Sequence, residues 1–186
     1  MQNAGREVSP AGSDDAISRA ADEIEGLHWL VEAEWSDEGV KRRALSSVAS
    51  ALQGWSSWSA ARRLRWAELL IEETIRQILP ITLRADQSRR DFEGVATMCE
   101  REGTAEAADR AVERILKANA YGRPVYTAAI AAHSTAKQVG TRPAFAGLGA
   151  AHVALITARM IGESDQLLAL ACSLWVDAAT KSADAD

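Results

Sequence analysis

The sequence predicts an all-α protein, a single-domain bundle of about eight helices arranged as successive antiparallel hairpins. Apolar residues recur at intervals of three and four along every periodic segment, and no segment shows the strict alternation of a half-buried strand. The composition, 47% hydrophobic and 25% charged with 12 Gly and 4 Pro, is typical of globular proteins. A length of 186 residues suits one domain with a sizeable core.

Residues that favour the beginning or the end of a helix predict the bounds of the first three helices. After a flexible N-terminus, 1–13, the aspartates that follow Ser13 cap a first helix that runs to about Trp35. A second helix, from about Ser36 to Gly54, carries apolar residues on one face. The third begins near Ser59 and is expected to stop at Pro80, because proline breaks a helix interior, which leaves 81–87 as the longest loop.

Five further helices are predicted in the second half of the chain. The fourth, about 88–101, ends at Gly103, and the fifth runs from Ala105 to about 120. Pro124 opens the sixth, which runs to about 139. A tight connection through Gly140 and Pro143 predicts that the seventh, to about Ile161, returns antiparallel to the sixth. The eighth starts at Ser164, so the helical domain spans 14–179 and a flexible tail spans 180–186.

Charge and cysteine usage narrow the class of protein. The formal charge of −5 argues against a general nucleic-acid binder. Cys99 and Cys172 lie in apolar helical patterns and are interpreted as buried free thiols. There is neither a secretory h-region nor an apolar run of roughly 18 residues, so we expect a cytoplasmic protein without a membrane span. The alanine- and arginine-rich, lysine-poor composition is typical of GC-rich bacteria.

One face of the third helix predicts a protein-binding surface. Opposite its apolar stripe, tryptophan and leucine alternate with charged residues, and these residue types concentrate binding energy at protein interfaces. Burial of this face by the first two helices is the competing interpretation, and Glu72 to Arg76 is also a favourable i,i+4 pair within the helix. The candidate partner-binding residues are Trp55, Trp58, Arg62, Arg65, Leu69, Glu72, Glu73 and Arg76.

The six tryptophans divide accordingly into two groups. Trp29, Trp35 and Trp175 lie near amphipathic helices and are interpreted as packing residues. The other three, Trp55, Trp58 and Trp66, gather at one junction and one helix face, where we expect the partner.

A second candidate site lies on the hairpin of the sixth and seventh helices. In this antiparallel pair, the numbers of two residues that lie at the same height should sum to roughly 285. This rule predicts two pairs of facing side chains, which we call rungs: His133 with His152, and Tyr126 with Arg159. Facing histidines are typical metal ligands, although hydrogen-bonded structural side chains are the simpler interpretation. These ligand-site candidates are Tyr126, His133, His152 and Arg159. We predict no bound metal or other cofactor, because the further ligands that a zinc or di-iron site needs are missing from the pattern.

From Leu64 onward the order of patterns resembles the all-helical immunity proteins of bacterial polymorphic toxin systems. The resemblance covers about residues 64–175. Its first part is a helix that opens with Leu64-Arg-Trp66-Ala67 and ends at Leu79-Pro80, followed by the segment Asp86-Gln-Ser-Arg89-Arg90. Its second part is the stop at Glu102-Gly103 and the alanine-rich runs that contain His133 and His152. Arg159 stands where the family pattern has another histidine. The resemblance implies a cytoplasmic protein that neutralises a toxin by binding it, without catalysis.

The expected function is therefore a non-enzymatic protein–protein interaction, with a toxin as the most concrete partner and steric occlusion as the mechanism. A bacterial helical adaptor or scaffold, including a homo-oligomeric one, is the broader version. The alternative from a different class is a helical bundle, with an enzyme included, that binds a metal or a small ligand through the two hairpin rungs.

Overall fold

The computed structural model describes residues 10–162 and 164–185, and this part of the chain is all-helical, as predicted. Its α-helices are α1 (Pro10–Glu23), α2 (Leu27–Glu32), α3 (Glu38–Ala51), α4 (Ala60–Glu73), α5 (Leu79–Ala85), α6 (Arg89–Glu102), α7 (Ala105–Lys117), α8 (Pro124–Gln138), α9 (Phe145–Ile161) and α10 (Ser164–Lys181). Short 3-10 turns occur at Trp55–Ser57 and Ala183–Ala185.

Local chemistry accounts for several helix ends. The Asp37 carboxylate caps α3 by accepting the backbone N–H groups of Gly39 and Val40. Thr104 caps α7 through the N–H of Ala107. Gly103 ends α6 in the left-handed conformation, which glycine adopts without steric cost. These caps and the α6 stop were readable from the sequence.

The first predicted helix is interrupted by a glycine, which corrects the continuous helix to Trp35. Gly26 has a φ of 94° and separates α1 from α2. A Cβ at Gly26 would lie 2.5 Å from the backbone of Gly147 in α9, and a Cβ at Gly147 would lie 2.4 Å from the carbonyl oxygen of Glu25. The chain therefore breaks here because two backbones meet, a contact that only glycine permits on either side.

Pro80 does not end the third predicted helix, and the predicted loop 81–87 is largely helical. Between α4 and α5 the chain forms a π-helical segment, Thr74–Ile78, in which the N–H of Leu79 donates to the carbonyl oxygen of Thr74. This widened turn lets the helix continue through a residue that has no N–H. The Thr82 side chain of α5 is then buried against Thr157 of α9, with the two hydroxyl oxygens 2.6 Å apart.

Helix α9 lies at the centre of the bundle and packs against α2, α4, α5, α8 and α10. Its contact with α8 has the predicted register, because a Cβ at Gly149 would collide with the side chain of Thr135. These two positions sum to 284, within one residue of the expected value. The stripe of small residues on each helix permits this close approach.

The remaining boundaries differ slightly from those predicted. The predicted cap at the aspartates after Ser13 is wrong, because α1 begins at Pro10 and includes these residues. Residues 1–9 of the predicted flexible N-terminus, and Asp186 in the predicted tail, lie outside the described residues. Helix α10 extends to Lys181, two residues beyond the predicted domain end, and the Ser182 side chain is buried. Within the described ranges, no helix combines the length and apolar character needed to cross a bilayer.

Candidate functional site

The tryptophans of the predicted partner-binding face lie inside the protein. Trp55, Trp58 and Leu69 are only 6%, 7% and 8% exposed, and Trp66 is completely buried. The prediction that this face offers exposed aromatic anchors is therefore wrong. The face is covered within one chain because α10 packs against α4.

The buried tryptophans form a continuous row. The ring centroids of Trp58 and Trp55 are 5.1 Å apart, those of Trp55 and Trp66 4.5 Å, and those of Trp66 and Trp175 5.6 Å. The Arg62 guanidinium stacks 3.8 Å from the Trp58 ring centre and closes the outer end of the row. Trp175 is a packing residue, as predicted. The three tryptophans that were expected at an interface are also packing residues.

Charged residues of the same face connect the end of α4 to the end of α6. Arg76 pairs with Glu72 at 2.9 Å and with Glu73 at 3.1 Å, and it also donates to the carbonyl oxygen of Glu102. A Cβ at Gly103 would lie 2.9 Å from this guanidinium, so the α6 stop packs directly on the cluster. The predicted Glu72–Arg76 pair is present. Arg65 is exposed and pairs with Glu68 at 3.5 Å.

The four candidate ligand residues of the hairpin are not brought together into one site. The two ring nitrogens of His133 lie 3.4 Å from the Ala105 carbonyl oxygen and 3.4 Å from the Asp109 carboxylate, so this histidine serves the contact with α7. The Tyr126 ring packs on Tyr121, with centroids 5.1 Å apart. The predicted register of α8 on α9 is confirmed, but the predicted His133–His152 and Tyr126–Arg159 pairs are wrong. Residues at the same height on two helices meet only when both side chains also point into the contact between the helices.

His152 and Arg159, in contrast, line a common groove between α9 and α2. The groove comprises two adjoining hollows of about 430 and 370 Å³ that share Glu32, Ala33, Leu155 and Arg159. Trp29 lines one hollow and Trp35 lines the other. We call this feature the α2–α9 groove.

The aromatic walls of the α2–α9 groove are fixed by specific contacts. Trp29 meets His152 edge-on, with ring centroids 5.4 Å apart. The indole N–H of Trp35 donates to the carbonyl oxygen of Leu30 at 2.9 Å. Asp165 of α10 accepts the backbone N–H groups of Ser36 and Asp37 and holds the linker beyond Trp35 against the bundle. Both indoles remain partly exposed in these fixed positions.

The electrostatics of the groove are set by unpaired surface charges and one neutral histidine. Burial lowers the pKa of His152, so its imidazole is uncharged at neutral pH. Glu32, Glu34 and Arg159 are exposed and form no hydrogen bond or ion pair with another described residue. Among the described residues, the groove thus presents two carboxylates and one guanidinium without ion-pair partners around an aromatic wall.

The acidic surface beside this groove was not identified from the sequence. Residues 14–38 contain nine acidic residues and a single arginine, a formal charge of −8, more negative than the −5 of the whole chain. All nine carboxylate residues are exposed, and they lie in α1, α2, the linkers that follow them and the first residue of α3. We call this surface the acidic layer. A charge count over a moving window would have found it, whereas the net charge of the whole chain concealed it.

The cysteines are buried free thiols, as predicted. Burial raises the pKa of each thiol to about 12, so neither forms a reactive thiolate at neutral pH. In the described ranges, no group of three or more His, Cys, Asp or Glu side chains is arranged to hold a metal ion. Comparison with family models, curated proteins and solved structures found no match.

Proposed function

We propose that this protein acts by binding a basic protein surface through its acidic layer, as an immunity-type protein that occludes a toxin. The observation that carries the proposal is the concentration of nine exposed carboxylates within residues 14–38. A surface of one sign attracts a partner of the opposite sign over a distance and suppresses wrong partners.

The carboxylates of the acidic layer are largely available for a partner. Asp14 pairs with Arg42 at 3.8 Å, and Asp37 is occupied as the cap of α3. The others lie on the solvent side of α1, α2, the linkers and the first residue of α3, where no hydrogen bond or ion pair to a described residue involves them. Their charge is therefore directed outward rather than neutralised within the fold.

The resemblance of residues 64–175 to immunity proteins supports the choice of a toxin as partner. A toxin that acts on nucleic acid needs a basic surface to bind phosphates. An acidic layer that covers such a surface would exclude the substrate without any chemical step. We therefore infer steric and electrostatic occlusion as the mechanism, in a non-enzymatic, intracellular role.

The proposal predicts that a gene next to this one encodes a toxin domain, and that domain is the binding partner for the test. The variant Asp22→Lys, Glu23→Lys, Glu25→Lys reverses three exposed charges at the end of α1, where lysine is compatible with the helix dipole. Titration calorimetry should show affinity reduced by roughly tenfold or more, together with a weaker dependence on salt. Cells that produce the toxin should lose protection in parallel.

A matched control separates the acidic layer from net charge alone. The variant Glu106→Lys, Glu113→Lys, Asp184→Lys makes the same change in charge at exposed positions outside the layer. It should bind and protect as the wild type does. Equal losses in the two variants, or no loss in either, would refute recognition by the acidic layer.

A further inference from the structure

The shape of the α2–α9 groove suits an extended polypeptide segment. Its two hollows adjoin along Glu32 and Ala33 on one side and along Leu155 and Arg159 on the other. Together they form a partly open trough whose lining residues run along α9 from His152 to Gly162. An elongated, open trough suits a polypeptide segment, whereas small molecules are usually enclosed on most sides.

The lining of the trough contains charges of both signs that do not neutralise each other. Glu32 and Arg159 border both hollows, yet no ion pair joins them. Glu34 borders the hollow at the end of α2, also without a partner among the described residues. A uniformly basic segment would match the two carboxylates but would be repelled by Arg159. A segment with both a cation and a carboxylate would match all three groups.

The aromatic wall of the trough adds a surface for the apolar stem of a long side chain. Trp29 and Trp35 keep part of their rings exposed while their positions are fixed by His152 and by the Leu30 carbonyl. Lysine and arginine place their methylene stems on such surfaces while the charged end reaches solvent or a carboxylate. Trp35 lies in the same hollow as Glu32 and Glu34, so this hollow favours a basic side chain.

We propose that the α2–α9 groove receives an extended segment of the partner protein that carries a lysine or arginine close to an aspartate or glutamate. The basic side chain lies along Trp35 and pairs with Glu32 and Glu34, while the acidic side chain pairs with Arg159. This proposal rests on the proposed function, since the acidic layer steers the basic partner towards the trough. It adds that the contact is specified by a pair of opposite charges.

The test uses blocked hexapeptides and the indole N–H signals of the protein in two-dimensional NMR. The probes are an alternating Lys-Glu peptide, an all-lysine peptide and an all-glutamate peptide at equal ionic strength. The alternating peptide should shift the signals of Trp29 and Trp35 and leave those of the buried Trp66 and Trp175 unchanged. It should bind about threefold more tightly than all-lysine, the increment typical of one exposed ion pair.

Substitutions at the trough distinguish the two kinds of charge. Arg159→Gln should lower affinity for the alternating peptide by about threefold and raise affinity for the all-lysine peptide, because one ion pair is lost and one repulsion removed. Glu32→Gln with Glu34→Gln should lower affinity for both. Arg142→Gln, at the exposed turn before α9, removes the same charge away from the trough and should change neither.

Three results would overturn the proposal. One is binding of the all-lysine peptide as tight as that of the alternating peptide. Another is a gain in affinity of Arg159→Gln for the alternating peptide as well as for the all-lysine peptide. The third is the absence of any shift at Trp29 and Trp35 at about 10 mM peptide, well above the millimolar dissociation constants expected for weak peptide contacts. If partner binding still depends on Asp22, Glu23 and Glu25, the trough assignment alone fails and the acidic layer stands.

Discussion

Two groups of tryptophan in this protein have the same chemistry but opposite situations. Trp55, Trp58, Trp66 and Trp175 form a buried row in which each ring contacts the next. Trp29 and Trp35 remain half-buried at the α2–α9 groove, beside free carboxylates. The sequence predicted an interface for Trp55, Trp58 and Trp66, which are buried instead. It predicted packing for Trp29 and Trp35, and both do pack against the core, although part of each ring is exposed. The comparison teaches that a tryptophan acquires its role from the element that packs over it, because an indole suits a core and an interface equally well.

The largest expected effect separates the two groups by stability. Trp66→Ala removes a fully buried indole and should lower the free energy of unfolding by roughly 3–5 kcal/mol, since transfer and cavity costs add. Trp29→Ala removes a half-buried ring and should cost about 1 kcal/mol. Urea denaturation monitored by circular dichroism gives both values, and equal losses would contradict the division.

A conservative variant refines the role of Trp66. Its indole N–H has no acceptor among the described residues, and neither has that of Trp175. Trp66→Phe should therefore cost clearly less than Trp66→Ala, because no hydrogen bond is broken and part of the volume is retained. A cost equal to that of the alanine variant in the same denaturation series would show that the N–H is essential.

The groove itself depends on a backbone contact that glycine makes possible. Gly26→Ala places a Cβ 2.5 Å from the Gly147 backbone and strains a φ of 94°, and it should destabilise the protein by roughly 1–3 kcal/mol. Gly122→Ala has a similar φ of 79° but nothing within 4 Å, so it should show the backbone strain alone. Thermal unfolding should rank Gly26→Ala below Gly122→Ala, and an inverted order would mean that α2 is not held by this contact.

A smaller effect is expected in the pH dependence of the free energy of unfolding, through His152 in the α2–α9 groove. Burial lowers the pKa of His152 below its unfolded value, so the unfolded chain binds the proton more readily. Stability from this group should be present above the unfolded pKa of about 6.5 and decline as the pH falls below that value. The variant His152→Asn should flatten that part of the urea-derived stability profile.

Other groups titrate in a separate range and serve as an internal control. Hydrogen bonds from Arg84 lower the pKa of Glu93 and of Glu100, so their contribution is present above the unfolded carboxyl pKa of about 4.3 and is lost below it. His152→Asn should leave this acid limb unchanged. A change confined to the acid limb would exclude His152 as the source of the effect near pH 6.

The smallest expected effect is optical. Trp29 and Trp35 should be the residues quenched by ions in solution, and cesium should quench them more strongly than iodide because the acidic layer attracts cations. The double variant Trp29→Phe, Trp35→Phe should lose the quenchable fraction of the fluorescence. Retention of that fraction would show that the buried row is accessible.

Local patterns predicted much of this fold because the interactions behind them are local. The stop of α6 at Gly103 and the start of α7 at Ala105 depend on neighbours within four residues. The register of α8 on α9 followed from the length of one tight turn and is confirmed at Thr135 and Gly149. The buried state of both cysteines followed from apolar periodicity.

The failures involve contacts between distant segments. Pro80 breaks an ideal helix, but a π-helical turn and burial of α5 against α6 and α9 override that preference. Gly26 looks like an ordinary helix residue in the sequence, but a Cβ there would lie 2.5 Å from the backbone of Gly147 in α9. Of the candidate ligand residues, His152 and Arg159 share a groove because α2 lies across α9, a placement that helical periodicity does not contain.

The sequence by itself determined the helical class, most helix ends, the hairpin register and the concentration of acid in residues 14–38. Each of these is a property of short-range spacing or of simple charge. Tertiary structure alone decided which faces are covered. Packing brings α10 over α4 and leaves the side of α2 open, so four tryptophans stabilise the core and two line a charged groove.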